Sequence, residues 1–271
     1  MESSERKKLI QTTFDTVADS YDNPFLCFFP NSAVYLTDLL ELRGDELLLD
    51  IASGTGAVSL TAAARLPDGR VTGIDFSEGM LSRAREKAKA AGLDNAEFIW
   101  MDMDSLDLPA ESFDAASCSF GLFFVEDMVE ALKRIAGEVK PGGRIVVSSF
   151  SELSFSPLAD LFLDRIRTYG VEVPASLSWK RLSSEESITR LFKDAGLKSI
   201  RVYEKDLGYY LKDPGEWWHL LRGAGFRGFI DKLTEKDLER FRLEHSEEIL
   251  EHLTEDGIKV RVECLYGVGI K

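Results

Sequence analysis

The sequence is poor in cysteine, histidine and basic charge, and it has no long apolar run. Cys27, Cys118 and Cys264 are far apart, odd in number and form no CxxC pair, so neither a disulfide framework nor a zinc site is indicated. Histidine is limited to His219, His245 and His252. A closed metal site wants three or four convergent ligands, and none is expected. No stretch approaches the roughly 18 apolar residues needed to span a bilayer. Lys and Arg number 33 against 47 Asp and Glu, a net charge of −14. Affinity for nucleic acid draws on basic side chains that displace counterions, so no nucleic-acid partner is expected. The opening MESSERKKLI mixes acidic and basic residues with no apolar h-region behind it. It does not read as a targeting peptide, and a cytoplasmic location is the expectation.

What is present suits a globular chain, with 44% hydrophobic and 30% charged residues. From residue 46 to 150, short apolar runs alternate with helical patterns. ELLLDIA (46–52), RVTGIDF (70–76), AEFIWMD (96–102), FDAASCSFG (113–121) and RIVVSSF (144–150) read as strands. Residues 57–66, 78–91 and 126–140 read as helices between them, with Ser77 as an N-cap and Gly92 as a stop. Such alternation predicts βαβ units and a parallel, doubly wound α/β sheet. Residues 1–45 read as an N-terminal helical cap around the aromatic turn Tyr21–Phe25, and 46–150 as the core. Residues 151–271 read as the rest of the sheet with helical cap insertions at about 152–182 and 212–256. Within that last part, 198–211 and 259–271 have the pattern of single strands.

Asp50-Ile51-Ala52-Ser53-Gly54-Thr55-Gly56 carries the chemistry, placed directly after a strand and before a helix. Glycine removes Cβ where the chain must turn tightly and a ligand must approach the backbone, and a helix N-terminus offers free N–H groups. Asp75 ends the next strand about 20 residues downstream, the spacing at which an acid reaches a nucleoside ribose. A dinucleotide fingerprint GxGxxG would need a third glycine where Ser59 stands, and no GxxxxGK[ST] phosphate loop exists.

LLLDIASGTG, GIDFSEGML, WMDMDSLDLPAESFD, SFGLFFVED and VKPGGRIVVSSF together resemble the motif series of class I S-adenosylmethionine (SAM)-dependent methyltransferases. The likeness is closest to the ubiquinone/menaquinone-biosynthesis type and its small-molecule relatives, whose Phe-Asp-x-Val-Ala-x-x-Tyr-Asp signature is matched by Phe14–Asp22. The resemblance implies a Rossmann-like, mostly parallel seven-stranded sheet and SAM as cofactor. It implies that Ala52, Ser53, Gly54, Thr55 and Gly56 wrap the methionyl part, and that Asp75 holds the ribose with Phe76 against the adenine. Asp102 and Met103 would meet the adenine, Met80 would pack on it, Ser119 and Phe120 would lie near the methionine portion, and Tyr21 would close over the cofactor. Where many of these enzymes have glycine, this sequence has Ala52.

A sulfonium donor suits carboxylates and aromatic faces, and methyl transfer needs in-line positioning more than a nucleophilic residue. A general base is needed only if the acceptor must lose a proton. His219, beside Trp217 and Trp218, is the candidate, while His245 and His252 sit in an acidic stretch that reads as solvated. Phe25, Phe28, Phe29, Phe155, Trp179, Trp217, Trp218, Phe226 and Phe229 cluster in the cap segments. If several line a cavity, the expected partner is an apolar or aromatic small molecule methylated on carbon or oxygen. The alternatives are a non-catalytic SAM-binding protein and a nicotinamide-dependent oxidoreductase, the latter opposed by Ser59.

Overall fold

The structure, a computed structural model, describes residues 3–271. Helices α1 (Ser3–Tyr21) and α2 (Phe28–Leu39) come first, joined by a 3-10 turn that Asn23 opens by accepting the Phe25 N–H at 2.9 Å. The alternating core follows as β1 (Leu47–Ile51), α3 (Ala57–Ala63), β2 (Arg70–Asp75), α4 (Glu78–Ala91), β3 (Ala96–Trp100), β4 (Phe113–Ser119), α5 (Met128–Glu138) and β5 (Val139–Phe150). Ser77 caps α4 by accepting the Met80 N–H, and Gly92 closes it at φ +67. The remainder forms α6 (Leu158–Thr168), α7 (Glu185–Asp194), β6 (Lys198–Asp206), β7 (Tyr209–Leu211), α8 (Pro214–Gly223), α9 (Arg227–Ile230), α10 (Glu235–Leu250), β8 (Leu253–Thr254), β9 (Gly257–Val260) and β10 (Glu263–Ile270).

Seven strands form the main sheet in the order β3-β2-β1-β4-β5-β10-β6. All neighbours are parallel except β10, which runs antiparallel between β5 and β6. The apolar run in β1 is continuous because the strand is covered on both faces: Leu48, Leu49 and Ile51 are completely buried. From β1 the chain builds outward through β2 and β3, then returns to β4 on the other side. The strand order thus reverses between β1 and β4, where a crevice opens at the carboxyl ends of the strands.

The two long C-terminal strand patterns each break in two. The Asp206 carboxylate accepts the Gly208 N–H at 2.8 Å, which turns the chain out of the main sheet. β6 stays there, while β7 joins β9 and β8 in a separate three-stranded sheet. Residues 259–271 likewise divide between β9 and β10. Alternating hydrophobicity marks both halves as strand but does not say which sheet each enters. At the other end, α2 packs against β4, β5 and β10, burying Phe28, Ala33 and Leu36 in the main core. Helix α1 lies over the strand ends, and the start of α2 reaches them as well, with Phe29 against Phe120 and Phe150.

Candidate active site

The chain leaves β1 through Ala52 (φ +52), Gly54 (φ +54) and Gly56 (φ +85), three left-handed residues in five positions. The Ser53 N–H bonds to the carbonyl of Ile74, which ties the loop to β2, and the Gly56 N–H closes onto the Ser53 carbonyl, both at 2.9 Å. Asp75 grips the loop from the neighbouring strand. Its two carboxylate oxygens accept the Gly54 and Ser77 N–H groups, each at 2.9 Å. Burial pushes the Asp75 carboxyl up to about 6 against the pull of those two donors. A carboxylate kept at a strand end despite this cost retains lone pairs for further donors.

The missing third glycine has a structural answer. Ser59 occupies the helix position facing β2, and a Cβ on Gly73 of β2 would lie 2.9 Å from the Ser59 hydroxyl and 2.8 Å from the Phe98 ring. The strand supplies the absent side chain that a fingerprint glycine would supply on the helix. Ser59 then donates to buried Asp50 at 2.6 Å, and Ser117 donates to the other oxygen at 2.8 Å. Burial likewise pushes Asp50 up to about 6.

The opposite wall comes from the end of β4. Ser119 and Ser148 hydroxyls lie 3.0 Å apart. Phe120 takes φ +52 and stacks on Phe150 at 4.3 Å. Gly121 faces the β1 loop so closely that a Cβ there would stand 2.5 Å from the Ala52 Cβ.

Helix α1 roofs the crevice. Lys7 bonds Asp102 at 2.5 Å and Asp104 at 2.7 Å, and Gln11 donates to the Phe76 carbonyl at 2.7 Å. Asp15 accepts the Ser77 hydroxyl and the Gly79 N–H. Asp22 accepts the Thr55 hydroxyl at 2.7 Å and pairs with Lys87 at 2.9 Å. Desolvation, reinforced by Asp75 and Asp22, raises the Tyr21 phenol, which therefore stays protonated.

Of the residues expected to hold a cofactor, Tyr21, Ala52, Gly54, Asp75, Phe76 and Met80 line this crevice, and so do Asp102, Met103, Ser119 and Phe120. Ser53, Thr55 and Gly56 stand behind its wall and shape the loop. Phe124, of the aromatic cluster Phe120, Phe123 and Phe124 that the sequence sets after β4 to suit a cation, lines it too. Lys7, Ile10, Phe14 and Gly121 also line it and were missed. For Phe14 a signal existed, since it lies two helical turns before Tyr21 on one face, and the two rings meet edge to face at 6.3 Å. A nucleoside ligand fits the lining: a Cβ on Gly54 would meet nothing within 4 Å, and the Asp75 carboxylate, holding two backbone N–H groups, keeps lone pairs for further donors.

A second cavity of about 660 Å³ adjoins the first. Phe28, Phe29, Phe155, Trp179, Phe226 and Phe229 line it, while Phe25, Trp217 and Trp218 do not. Phe14, Tyr21, Phe120 and Phe124 belong to both cavities.

The histidines are placed otherwise than expected. His219 is exposed and stacks on Phe25 at 5.4 Å. It lines neither cavity, so its geometry does not fit a base. His245 is buried, not solvated, because α10 turns it inward between α6 and α8. Its Nε2 accepts the Trp217 indole N–H at 3.0 Å and its Nδ1 faces Glu248 at 3.1 Å. Burial lowers its pKa, and the Trp217 bond requires a neutral ring with the proton on Nδ1. Trp217→Phe should leave Nε2 buried without a donor and lower stability by about 1–3 kcal/mol; urea unfolding with an unchanged midpoint would contradict that pairing.

A glycine-rich β1 loop, a ribose-spaced acid and an adjoining apolar cavity at a strand-order reversal define a nucleoside-dependent α/β enzyme. Residues 48–143 match the family model described as a methyltransferase domain. The aklanonic acid methyltransferase DauC of Streptomyces sp. (strain C5) is 37% identical over 150 residues, 55% of this chain and 68% of that protein. The demethylmenaquinone methyltransferase of Listeria welshimeri is 30% identical over 213 residues, covering 72% and 90%. Among solved structures, the YcgJ protein of Bacillus subtilis superposes with a TM-score of 0.60 at 20% identity, covering 89% of this chain and 98% of that one. A Haemonchus contortus phosphoethanolamine N-methyltransferase solved with S-adenosyl-L-methionine gives 0.59 at 18%, covering 95% and 57%. The chain belongs to the class I SAM-dependent methyltransferases, and it is an enzyme that moves the SAM methyl group to a small molecule.

Proposed function

We propose that the enzyme methylates a carbon or oxygen atom of an apolar or aromatic small molecule, with SAM in the smaller crevice and the acceptor in the larger cavity. The observation that carries this reading is the shared wall of Phe14, Tyr21, Phe120 and Phe124, which brings two chemically different cavities into contact. Relatives with similar sequences are named for aklanonic acid and demethylmenaquinone, which supports an acceptor of this type. In this reading Asp75 accepts the two ribose hydroxyls, Phe76, Met80 and Met103 bracket the adenine, and Asp102, steadied by Lys7, meets its edge. Ala52, Ser53, Gly54, Thr55 and Gly56 hold the methionyl part, with Ser119 and Phe120 beside it and Tyr21 closing above.

When bound, SAM supplies an electrophilic methyl group on a sulfonium centre. The chain's own contribution is to align and to exclude water. The aromatic wall seats a flat acceptor against the crevice mouth, and such positioning is worth up to roughly 7–11 kcal/mol of barrier. α1, the start of α2, residues 172–179, α8 and α9 act as the cap that encloses the acceptor, on a core spanning residues 46–150. A nucleic-acid substrate is disfavoured by the charge of −14. Among the described residues no helix is long and apolar enough to cross a membrane; a cytoplasmic setting is part of the proposal.

Methyl-labelled SAM incubated with the enzyme and a panel of phenols, hydroxyquinones and aromatic acids should label at least one of them. Label entering only polypeptide or tRNA in a whole extract would overturn the acceptor assignment while leaving the donor site intact.

A further inference from the structure

The larger cavity is almost wholly aromatic and aliphatic. Among the described residues, the titratable side chains that line it are Arg6, Tyr21, Glu172 and Lys232. Only Arg6 and Tyr21 also line the donor crevice, and neither can take a proton near neutral pH. Tyr21 is held protonated by burial and by the charges of Asp75 and Asp22, and a guanidinium has no basic lone pair. Of the carboxylates lining the crevice, Asp75 is held by backbone N–H groups and Asp102 and Asp104 by Lys7, while Glu126 is exposed; none of the four lines the larger cavity. Among the described residues, no side chain that lines both cavities can therefore act as a base for the acceptor.

A cation is present instead. Arg6 is half-buried on the shared wall and has no ion pair among the described residues, in a chain where acids outnumber bases 47 to 33. No carboxylate among the described residues lies within ion-pair distance of it. Lys7, next on the helix, is spent on Asp102 and Asp104. Arg181 lies close enough for the two guanidinium groups to repel, and its own N–H groups donate to the carbonyls of Phe123, Val125 and Glu126. Glu126, which lines the crevice, Asp127 beside it and Glu172, which lines the cavity, are all exposed, the first two acting on Arg181. Lys232, exposed where it lines the cavity, is a second cation with no ion pair among the described residues and sits over the Phe229 ring at 5.6 Å.

We propose that the acceptor is an aromatic or polycyclic oxygen acid (a carboxylic acid, an acidic phenol or an enolised diketone) taken up as its preformed anion, with Arg6 as the cation that faces it. This rests on the methyltransferase reading and deepens it. The proton leaves to solvent before binding. A lone pair of the acceptor anion forms the bond to the methyl carbon as the carbon–sulfur bond breaks, and its electrons stay on sulfur. One positive and one negative centre become two neutral ones, and no protein group gains a proton.

The test uses 2-naphthoate and its neutral isostere 2-naphthamide as probes, titrated calorimetrically into the full-length enzyme saturated with S-adenosylhomocysteine at pH 7.5. Wild type should prefer naphthoate by roughly tenfold, the scale of one charge-assisted contact. Arg6→Gln should abolish the preference without weakening naphthamide, and Arg6→Lys should restore part of it. Equal affinities in wild type, or a preference that survives Arg6→Gln, would overturn the proposal. With labelled SAM and a series of phenols, the pH midpoint of kcat/KM should follow each phenol's own acidity. One midpoint common to all would reveal a protein base and refute it. Saturation by S-adenosylhomocysteine is itself measured first, so failure of the donor reading is seen separately.

Discussion

Asp75→Ala should weaken S-adenosylhomocysteine binding about 10- to 100-fold, the loss expected when a charged hydrogen-bond acceptor is removed. The carboxylate does two things at once. It fixes the β1 loop through the Gly54 N–H and, in the proposed reading, offers its remaining lone pairs to the ribose hydroxyls. Calorimetry that finds an unchanged affinity would remove Asp75 from the site. The same residue sets a pH dependence of opposite sign for binding and folding. Its carboxyl is raised in the folded protein to about 6, so the folded state binds the proton more tightly than the unfolded chain. The stability it contributes is therefore greatest at acidic pH and is lost as pH rises through that value. Donor binding needs the ionised form and should weaken as pH falls below about 6. A titration at pH 5.5 that is as tight as one at pH 7.5 would contradict this.

Gly121→Ala is expected to be the most damaging methyl group that can be added to the crevice. Its Cβ would lie 2.5 Å from the Cβ of Ala52 and 3.2 Å from the Cys118 sulfur. Neither Cβ is the movable end of a side chain, so one of the two backbones must shift. Ala52 already stands at φ +52 with little freedom to do so. Overpacking of this kind costs about 1–3 kcal/mol, and the displaced loop should cost donor affinity well beyond tenfold. Gly137→Ala provides the contrast. That residue lies within α5, and its added methyl would meet nothing within 4 Å. It should be neutral or stabilising by up to about 1 kcal/mol. Thermal unfolding and calorimetry on both variants decide the matter; if Gly121→Ala binds donor normally, the close approach of the two walls is not needed for the site.

The crevice floor was legible because it is local. Strand, glycine turn and ribose-spaced acid sit within 29 consecutive positions, from Leu47 to Asp75, and each step follows from backbone chemistry. The roof was not, because it depends on pairs such as Lys7 with Asp102, 95 residues apart. A lysine in a charged N-terminal helix carries no mark of the strand end it will meet. His245 is the sharpest instance: its acidic neighbours suggested a solvated helix, yet one side of α10 faces Phe162 and Trp217. Ser59 taught the converse, since the fingerprint glycine was sought on the helix while the space came from Gly73 on the strand.

The two cavities are built from different stretches of the chain. Apart from α1, the walls of the smaller one come from residues 52–126, whereas the larger one draws chiefly on 26–29 and 150–232. In the proposed reading, acceptor choice and fuel supply therefore rest largely on separate stretches that meet at the shared wall of Arg6, Phe14, Tyr21, Phe120 and Phe124. Phe155, Leu177 and Phe229 line the larger cavity alone, so on that reading substitutions there should retune what is accepted while the sulfonium berth stays as it is, which makes this scaffold a natural starting point for directed diversification.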